Sequence, residues 1–112
     1  MKTKKNELPD EVLRLIPLTP AVFFILFALA DGEKHGYAMM EDIKRFAGLR
    51  LGPGTLYGAI TRLEEQGWIR SVESSDRRRP YRLTAAGKRY LEEQLSGLDR
   101  IVRTGLRRLQ HA

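Results

Sequence analysis

The chain has 112 residues and a hydrophobic fraction of 42%, which suits one domain with one appended element and excludes a disordered chain. It has no cysteine, which excludes disulfides, thiol catalysis and cysteine-ligated zinc and fits a reducing, cytoplasmic location. The net charge of +6 is uneven: residues 77–112 hold ten Lys or Arg against three Asp or Glu, whereas residues 1–76 hold ten against eleven.

The first elements are predicted to be a lysine-rich polar arm with a short helix, over residues 1–17, and then a buried helix. Thr19 and Pro20 form a strong helix start, because the Thr19 hydroxyl can cap and Pro20 needs no donor at the first helical position. The apolar run that follows, residues 21–30, has ten residues, whereas a membrane span needs about 20. We therefore expect a central core helix and no membrane association.

Two amphipathic helices are expected next, separated by a stop at Gly48. The first, over residues 36–46, has apolar residues at spacings of three and four, which predicts one buried stripe made of Tyr37, Met40, Ile43 and Ala47. The second begins at Pro53 or Gly54 and ends at Gly67. Its inner face is predicted to comprise Leu56, Ala59, Ile60 and Leu63, and its outer faces Thr55, Gly58, Thr61, Arg62 and Glu65.

A basic hairpin is predicted after these helices. Two short strands, over residues 68–72 and 80–83, flank a charged turn. Pro80 cannot donate to a ladder, so it belongs at an edge or at the start of a strand. The order of helix, turn, helix and hairpin is that of a winged helix-turn-helix, which places one helix in a DNA groove and a basic loop on the neighbouring backbone.

Candidate DNA contacts lie at the helix starts and in the hairpin turn. Small residues and free N–H groups at the start of the second amphipathic helix favour an anion there, although an ordinary glycine-rich turn with a core tyrosine has the same pattern. A run of arginines in a turn supplies guanidinium forks for a phosphate backbone or a minor groove, although such runs are more often solvated. The candidates are Tyr37, Gly54, Thr55, Tyr57, Thr61, Arg62, Arg77, Arg78 and Arg79.

The final segment is predicted to be one helix of about 27 residues, or about 40 Å, capped by Thr84. Its apolar residues approximate a heptad seam, which a body this small cannot cover along its whole length. A second copy is the simplest partner, whereas packing on the first core helix is the alternative and would account for the first turns. The predicted dimerisation residues are Leu91, Leu95, Leu98, Ile101, Val102, Leu106 and Leu109.

No catalytic or metal site stands out. His35 precedes a helix start, so we expect it to cap or pack, and no carboxylate pair, nucleophile–base pair or metal-ligand spacing is evident. Trp68 follows a helix-stop glycine, which favours a packing role over a ligand platform. The sequence therefore predicts neither an enzyme nor a protein with a cofactor.

Several short motifs, each weak alone, together resemble the PadR family of transcriptional regulators over about residues 18–110. They are His35-Gly36-Tyr37, Ile43, Gly54-Thr55-Leu56-Tyr57, Arg62-Leu63-Glu64, Gly67-Trp68-Ile69, and Tyr81-Arg82-Leu83-Thr84 with Gly87. The resemblance implies a homodimeric winged-helix repressor with a C-terminal dimerisation helix. It also implies that a small aromatic or drug-like effector binds some members between the dimerisation helices and the DNA-binding body.

We therefore expect a mainly α (α+β) chain with three parts: residues 1–17 as an arm and short helix, residues 18–83 as a winged helix-turn-helix, and residues 84–112 as a dimerisation helix. The expected function is regulation of transcription, as a homodimeric repressor on a near-palindromic operator. The alternative is a winged-helix module that binds protein and not specific DNA, and salt-dependent binding to a duplex distinguishes the two.

Overall fold

The computed structural model describes residues 19–74 and 77–112. The arm and short helix predicted for residues 1–17 lie outside the described residues, as do two residues of the predicted hairpin turn. The described chain has the mainly helical winged-helix architecture that was predicted. Its elements are α1 (Pro20–Ala28), β1 (Lys34–His35), α2 (Gly36–Ala47), α3 (Pro53–Glu65), β2 (Ile69–Ser71), β3 (Pro80–Leu83) and α4 (Ala85–Gln110).

The core is built around α1, which contacts α2, α3 and α4. Because α1 is apolar on nearly all sides, it can meet all three helices at once. The predicted hydroxyl cap is wrong: the Thr19 side chain makes no cap hydrogen bond, and α1 begins instead with Pro20 and a main-chain bond from Phe23 N to Thr19 O. The largest fully buried side chains are Ile25, Leu26, Met39, Ile43, Leu56, Ile60 and Leu63.

The buried face of α2 differs from the predicted stripe. Met39 and Ile43 are fully buried, whereas Tyr37 and Ala47 are exposed and Met40 is half-buried. Met39 and Met40 are adjacent and therefore lie 100° apart around the helix, and a buried face that includes either one has apolar spacings of three and four. Packing against α1 decides which of the two faces is buried. Tyr37 is therefore on the surface, where it was also proposed as a DNA contact.

A three-stranded antiparallel sheet has the order β1-β3-β2. Strand β1, which was not predicted, has only two residues and pairs Lys34 with Tyr81. β2 pairs with β3 so that Arg70 lies opposite Arg82. Pro80 is the first residue of the central strand, where it needs no N–H, and its carbonyl accepts from Val72 N at 2.8 Å.

Lys34 joins the end of α1 to α2. Its ammonium donates to the Ala28 carbonyl at 2.5 Å and to the Asp31 carboxylate, and it lies 4.0 Å from a carboxylate oxygen of Asp42. The hydrogen bond and positive charge of Lys34 lower the pKa of Asp31. The positive charge of Lys34 at the C-terminal end of α1 also interacts favourably with the helix dipole. The turn that leads into α2 is therefore held by contacts with both α1 and α2.

The start of α4 is tightly joined to the end of α3. Thr84 caps α4, because its hydroxyl accepts from Gly87 N at 3.1 Å, and the same hydroxyl donates to Gly67 O at 2.6 Å. The Trp68 carbonyl accepts from Thr84 N at 3.0 Å. The Trp68 and Tyr90 rings stack with their centroids 4.0 Å apart, and burial followed by the charge of Glu93 raises the pKa of Tyr90.

Only the first turns of α4 pack on the body of the chain. Gly87, Tyr90 and Leu91 are buried there, and Leu91 belongs to the core cluster with α1 and α3. The prediction that Leu91 is a dimerisation residue is therefore wrong, because its own chain already covers it. The later apolar residues of α4 are exposed, and they are Leu95, Leu98, Ile101, Val102, Leu106 and Leu109.

Candidate nucleic-acid interface

The outer face of α3 is polar and accessible, as the spacing predicted. The inner face residues Leu56, Ala59, Ile60 and Leu63 are buried against the core. The Thr61 hydroxyl donates to the Tyr57 carbonyl at 2.9 Å, so it is held against the helix. The exposed residues of this face are Gly54, Thr55, Tyr57, Gly58, Thr61, Arg62 and Glu65.

The start of α3 presents backbone N–H groups. Gly52 is its N-cap residue and makes no side-chain cap, and Pro53 occupies the first turn. The first-turn N–H groups of Gly54 and Thr55 therefore have no capping side chain, and the positive end of the helix dipole lies there. With the Thr55 hydroxyl beside them, these groups form a surface that suits a phosphate oxygen.

Two tyrosines extend this surface to the start of α2. Tyr37 is 62% exposed and Tyr57 is 48% exposed. They belong to different helices, but Tyr57 reaches the first residue of α2, Gly36, which precedes Tyr37 in the chain. His35 caps α2 by accepting from Ala38 N at 3.3 Å, as expected from its position. The starts of α2 and α3 thus form one polar surface with two accessible phenols.

The hairpin between β2 and β3 forms the wing. Arg77, Arg78 and Arg79 are all exposed and directly precede β3. The pKa of Tyr81 in β3 is raised by burial and by Glu64 and lowered by Arg79. Tyr81 therefore lies close enough to both Arg79 of the wing and Glu64 of α3 for their charges to act on its phenol.

Two wing residues were missed in the sequence. Arg70 and Arg82 are both exposed and lie directly opposite each other in the ladder, where like charges disfavour folding. Glu33 lies 3.8 Å from Arg82 and offsets part of that repulsion. Each arginine follows a buried strand residue, Ile69 or Tyr81, and this alternation was the signal available in the sequence.

The other charged region is α4. Its basic residues are all exposed, and they are Lys88, Arg89, Arg100, Arg103, Arg107 and Arg108. Arg103 pairs with Asp99 at 3.1 Å. The positive excess of residues 77–112 is therefore divided between the wing and this helix.

Two other types of site, a metal centre and a membrane span, are absent from the described residues. In the part of the chain that the structure describes, no three His, Cys, Asp or Glu side chains are grouped so that they could hold a metal ion. Among the described helices, none combines the length and hydropathy needed to cross a membrane. Trp68 is half-buried against the core and stacked on Tyr90, which supports packing as its role.

Comparison with known proteins agrees with this geometry. Residues 25–93 match the model of the transcriptional regulator PadR-like family. A transcriptional regulator of Mycobacterium tuberculosis is 39% identical over 82 residues, which cover 70% of this chain and 76% of that protein. An uncharacterized 37.1 kDa protein of a Streptomyces fradiae transposon is 46% identical over 81 residues, which cover 72% of this chain and 24% of that protein. The chain thus spans about a quarter of the transposon protein.

Solved structures share the fold. A PadR family regulator from Clostridium difficile superposes with a TM-score of 0.73 at 25% identity, over 81% of this chain and 99% of that one. Bacillus subtilis PadR, in complex with operator DNA, superposes with a TM-score of 0.61 at 25% identity, over 70% of this chain and 48% of that one. The chain therefore belongs to the PadR-like family of transcriptional regulators, which are not enzymes, and it has the winged-helix DNA-binding fold of that family.

Proposed function

We propose that this protein is a cytoplasmic, sequence-specific repressor of transcription that binds a near-palindromic operator as a homodimer. Helix α3 reads the major groove through Thr55, Thr61 and Arg62. Tyr37, Tyr57 and the first turn of α3 contact phosphates. The wing contacts the adjacent backbone through Arg77, Arg78 and Arg79, and Arg70 and Arg82 add to its positive field.

The observation that carries this proposal is the exposure of polar and basic groups on neighbouring elements of the chain. An exposed polar helix face, two accessible phenols and an arginine-rich hairpin lie on consecutive elements of one fold. The operator complex of Bacillus subtilis PadR, a protein of similar fold, supports DNA as the ligand of such a surface. The family resemblance further supports regulation by a small aromatic or drug-like effector, which would bind between α4 and the DNA-binding body.

Duplex binding should depend strongly on salt. If a dimer makes about six to ten phosphate contacts, the logarithm of the affinity should fall with the logarithm of the salt concentration at a slope of roughly −5 to −9. Fluorescence anisotropy with a labelled duplex measures this slope. A slope near zero would favour the alternative, a winged-helix module that binds protein.

Two variants should distinguish a contact that reads DNA bases from a contact to the DNA backbone. Thr55→Ala should weaken binding to the selected operator by about 1–3 kcal/mol and change random-sequence binding less, because Thr55 opens the groove helix. Arg77→Ala should weaken both duplexes by a similar factor and reduce the salt slope by about 1, because its contact is to the backbone. The operator is obtained by selecting bound duplexes from a random pool.

Arg45→Ala provides the matched control for the loss of one arginine. Arg45 lies in the last turn of α2, at the opposite end of that helix from Tyr37, and pairs with Asp42 at 3.3 Å. Its removal should change the affinity for either duplex by much less than Arg77→Ala does.

An unchanged ratio of operator affinity to random-sequence affinity in Thr55→Ala would show that Thr55 is not one of the base-reading residues.

A further inference from the structure

At the start of α2, Gly36 lies so close to the Tyr57 side chain of α3 that a larger residue would collide with the phenol in its present position. A Cβ atom on Gly36 would lie 2.5 Å from the Tyr57 hydroxyl oxygen and 2.9 Å from the ring carbon that carries it. Gly36 does not have the positive backbone angle φ that favours glycine. A larger residue is therefore opposed by the contact with Tyr57 and not by the conformation of the chain.

Tyr57 is not a core residue, so this contact is not required to bury it. Its side chain is about half exposed, whereas its neighbour Leu56 is fully buried. The Tyr57 phenol also contributes, after burial and Glu64, to the raised pKa of Tyr81 in β3. Tyr57 of α3 thus lies against the first turn of α2, with part of its ring on the surface.

We propose that Gly36 is a positioning residue for DNA binding: it leaves room for the Tyr57 phenol against the first turn of α2, and the phenol held there contacts a DNA phosphate. This inference rests on the proposed function, since it takes the α3 surface as the DNA-binding surface. A ring that is already held in place loses little side-chain freedom when DNA binds. The hydroxyl also lies at the positive end of α2, where an anion is favoured.

Gly36→Ala tests this positioning with little expected damage to the fold. The two atoms nearest to the new methyl group belong to the end of a flexible side chain, which can rotate away. The third, a methyl carbon of Leu56, lies at 3.3 Å and needs only a small adjustment. Alanine also favours helix more than glycine does. We expect a thermal midpoint close to wild type and an operator affinity lowered by about tenfold, the effect of losing a hydrogen bond to a charged group.

A double-mutant cycle separates positioning from a general effect on α2. Tyr57→Ala and Tyr57→Phe should each lower operator affinity, because both remove the hydroxyl. In the Tyr57→Ala background, Gly36→Ala should have no further effect, because the displaced group is gone. That background is the matched control, since it retains any effect of the new methyl group on Leu56 or on helix propensity.

The possible outcomes of this cycle test separately whether Tyr57 contacts DNA and whether Gly36 positions it. If Gly36→Ala binds like wild type while Tyr57→Ala does not, Tyr57 contacts DNA but Gly36 does not position it. If Gly36→Ala lowers affinity equally in both backgrounds, its effect does not pass through Tyr57, and the inference is overturned. If both Tyr57 variants bind like wild type, the inference also fails, while the salt dependence of wild-type binding still decides the proposed function.

A second measurement remains decisive if Gly36→Ala folds poorly. In the free wild-type protein, nuclear Overhauser contacts should connect the Gly36 α protons with the Tyr57 ring protons. On addition of operator these contacts should persist, and the Tyr57 ring resonances should shift. If the contacts are absent from the free protein, the ring is not held in advance and the inference fails.

Discussion

Gly87→Ala is expected to destabilise the folded chain by about 3 kcal/mol or more. Gly87 lies in the first turn of α4, where a Cβ atom would be 1.9 Å from the Trp68 carbonyl oxygen and 2.8 Å from the carbonyl carbon. Both are backbone atoms of the chain that enters β2, so no side-chain rotation can relieve the overlap. For a domain of this size, the thermal midpoint should fall by roughly 12 °C or more.

Gly97→Ala is the matched control, because it is the same substitution in the same helix. A Cβ atom there would meet only the Arg100 side chain at 4.0 Å, an ordinary contact. Alanine in place of an interior helix glycine should stabilise by up to about 1 kcal/mol. Both variants should be compared at one protein concentration, since dimerisation would make stability depend on concentration. A Gly87→Ala midpoint close to wild type would show that α4 does not pack on Trp68 in this way.

The contact at Gly87 also couples α4 to α3, the proposed DNA-binding helix. Thr84 bonds to the Gly67 carbonyl just beyond α3, and Trp68 stacks on Tyr90 in α4. The end of α3 and the start of α4 are thus joined by hydrogen bonds, a ring stack and a close backbone approach. Any partner that fixes the direction of α4 therefore also fixes the direction of α3.

The sequence was sufficient to predict several features that depend on local pattern, although the Thr19 hydroxyl cap was not one of them. The inner face of α3 was predicted correctly because its apolar residues allow only one face at helical spacing. The Thr84 cap of α4 and the stop at Gly48 were likewise recognisable from residue type, and Gly48 has the left-handed φ of 67° expected of a helix stop. Such features are decided within one or two turns of the chain.

Features that depend on distant contacts could not be predicted. Strand β1 has two residues and exists only because β3 lies beside it. The buried face of α2 is decided by packing on α1, and Leu91 is buried only because α4 starts against the core. The close contacts made at Gly36 and Gly87 involve residues 19 or more positions away, so the sequence shows the glycines without showing what lies against them.

The largest effect on assembly is expected from Leu98→Glu combined with Val102→Glu, which should convert a dimer to a monomer. Beyond Leu91, α4 presents an exposed apolar stripe, with Ile101 68% and Leu109 76% exposed. The helix extends about 28 Å beyond Leu91, and the described chain leaves the stripe on this part uncovered. Two glutamates would remove apolar burial and oppose like charges across a two-fold axis. Sedimentation velocity at micromolar concentration measures the outcome.

Ser96→Glu combined with Arg103→Ala provides the control, because it changes the net charge by the same amount on the opposite face of α4. That variant should remain dimeric. In the wild type, joined α4 helices would place the two α3 helices on half-sites about one helical turn apart, roughly 34–36 Å from centre to centre. The monomeric variant should therefore lose most of its operator affinity while keeping its fold, because each α3 would bind its half-site alone. A wild-type monomer, or a glutamate variant that stays dimeric, would show that the α4 stripe is not the interface and that α3 is positioned on DNA by other contacts.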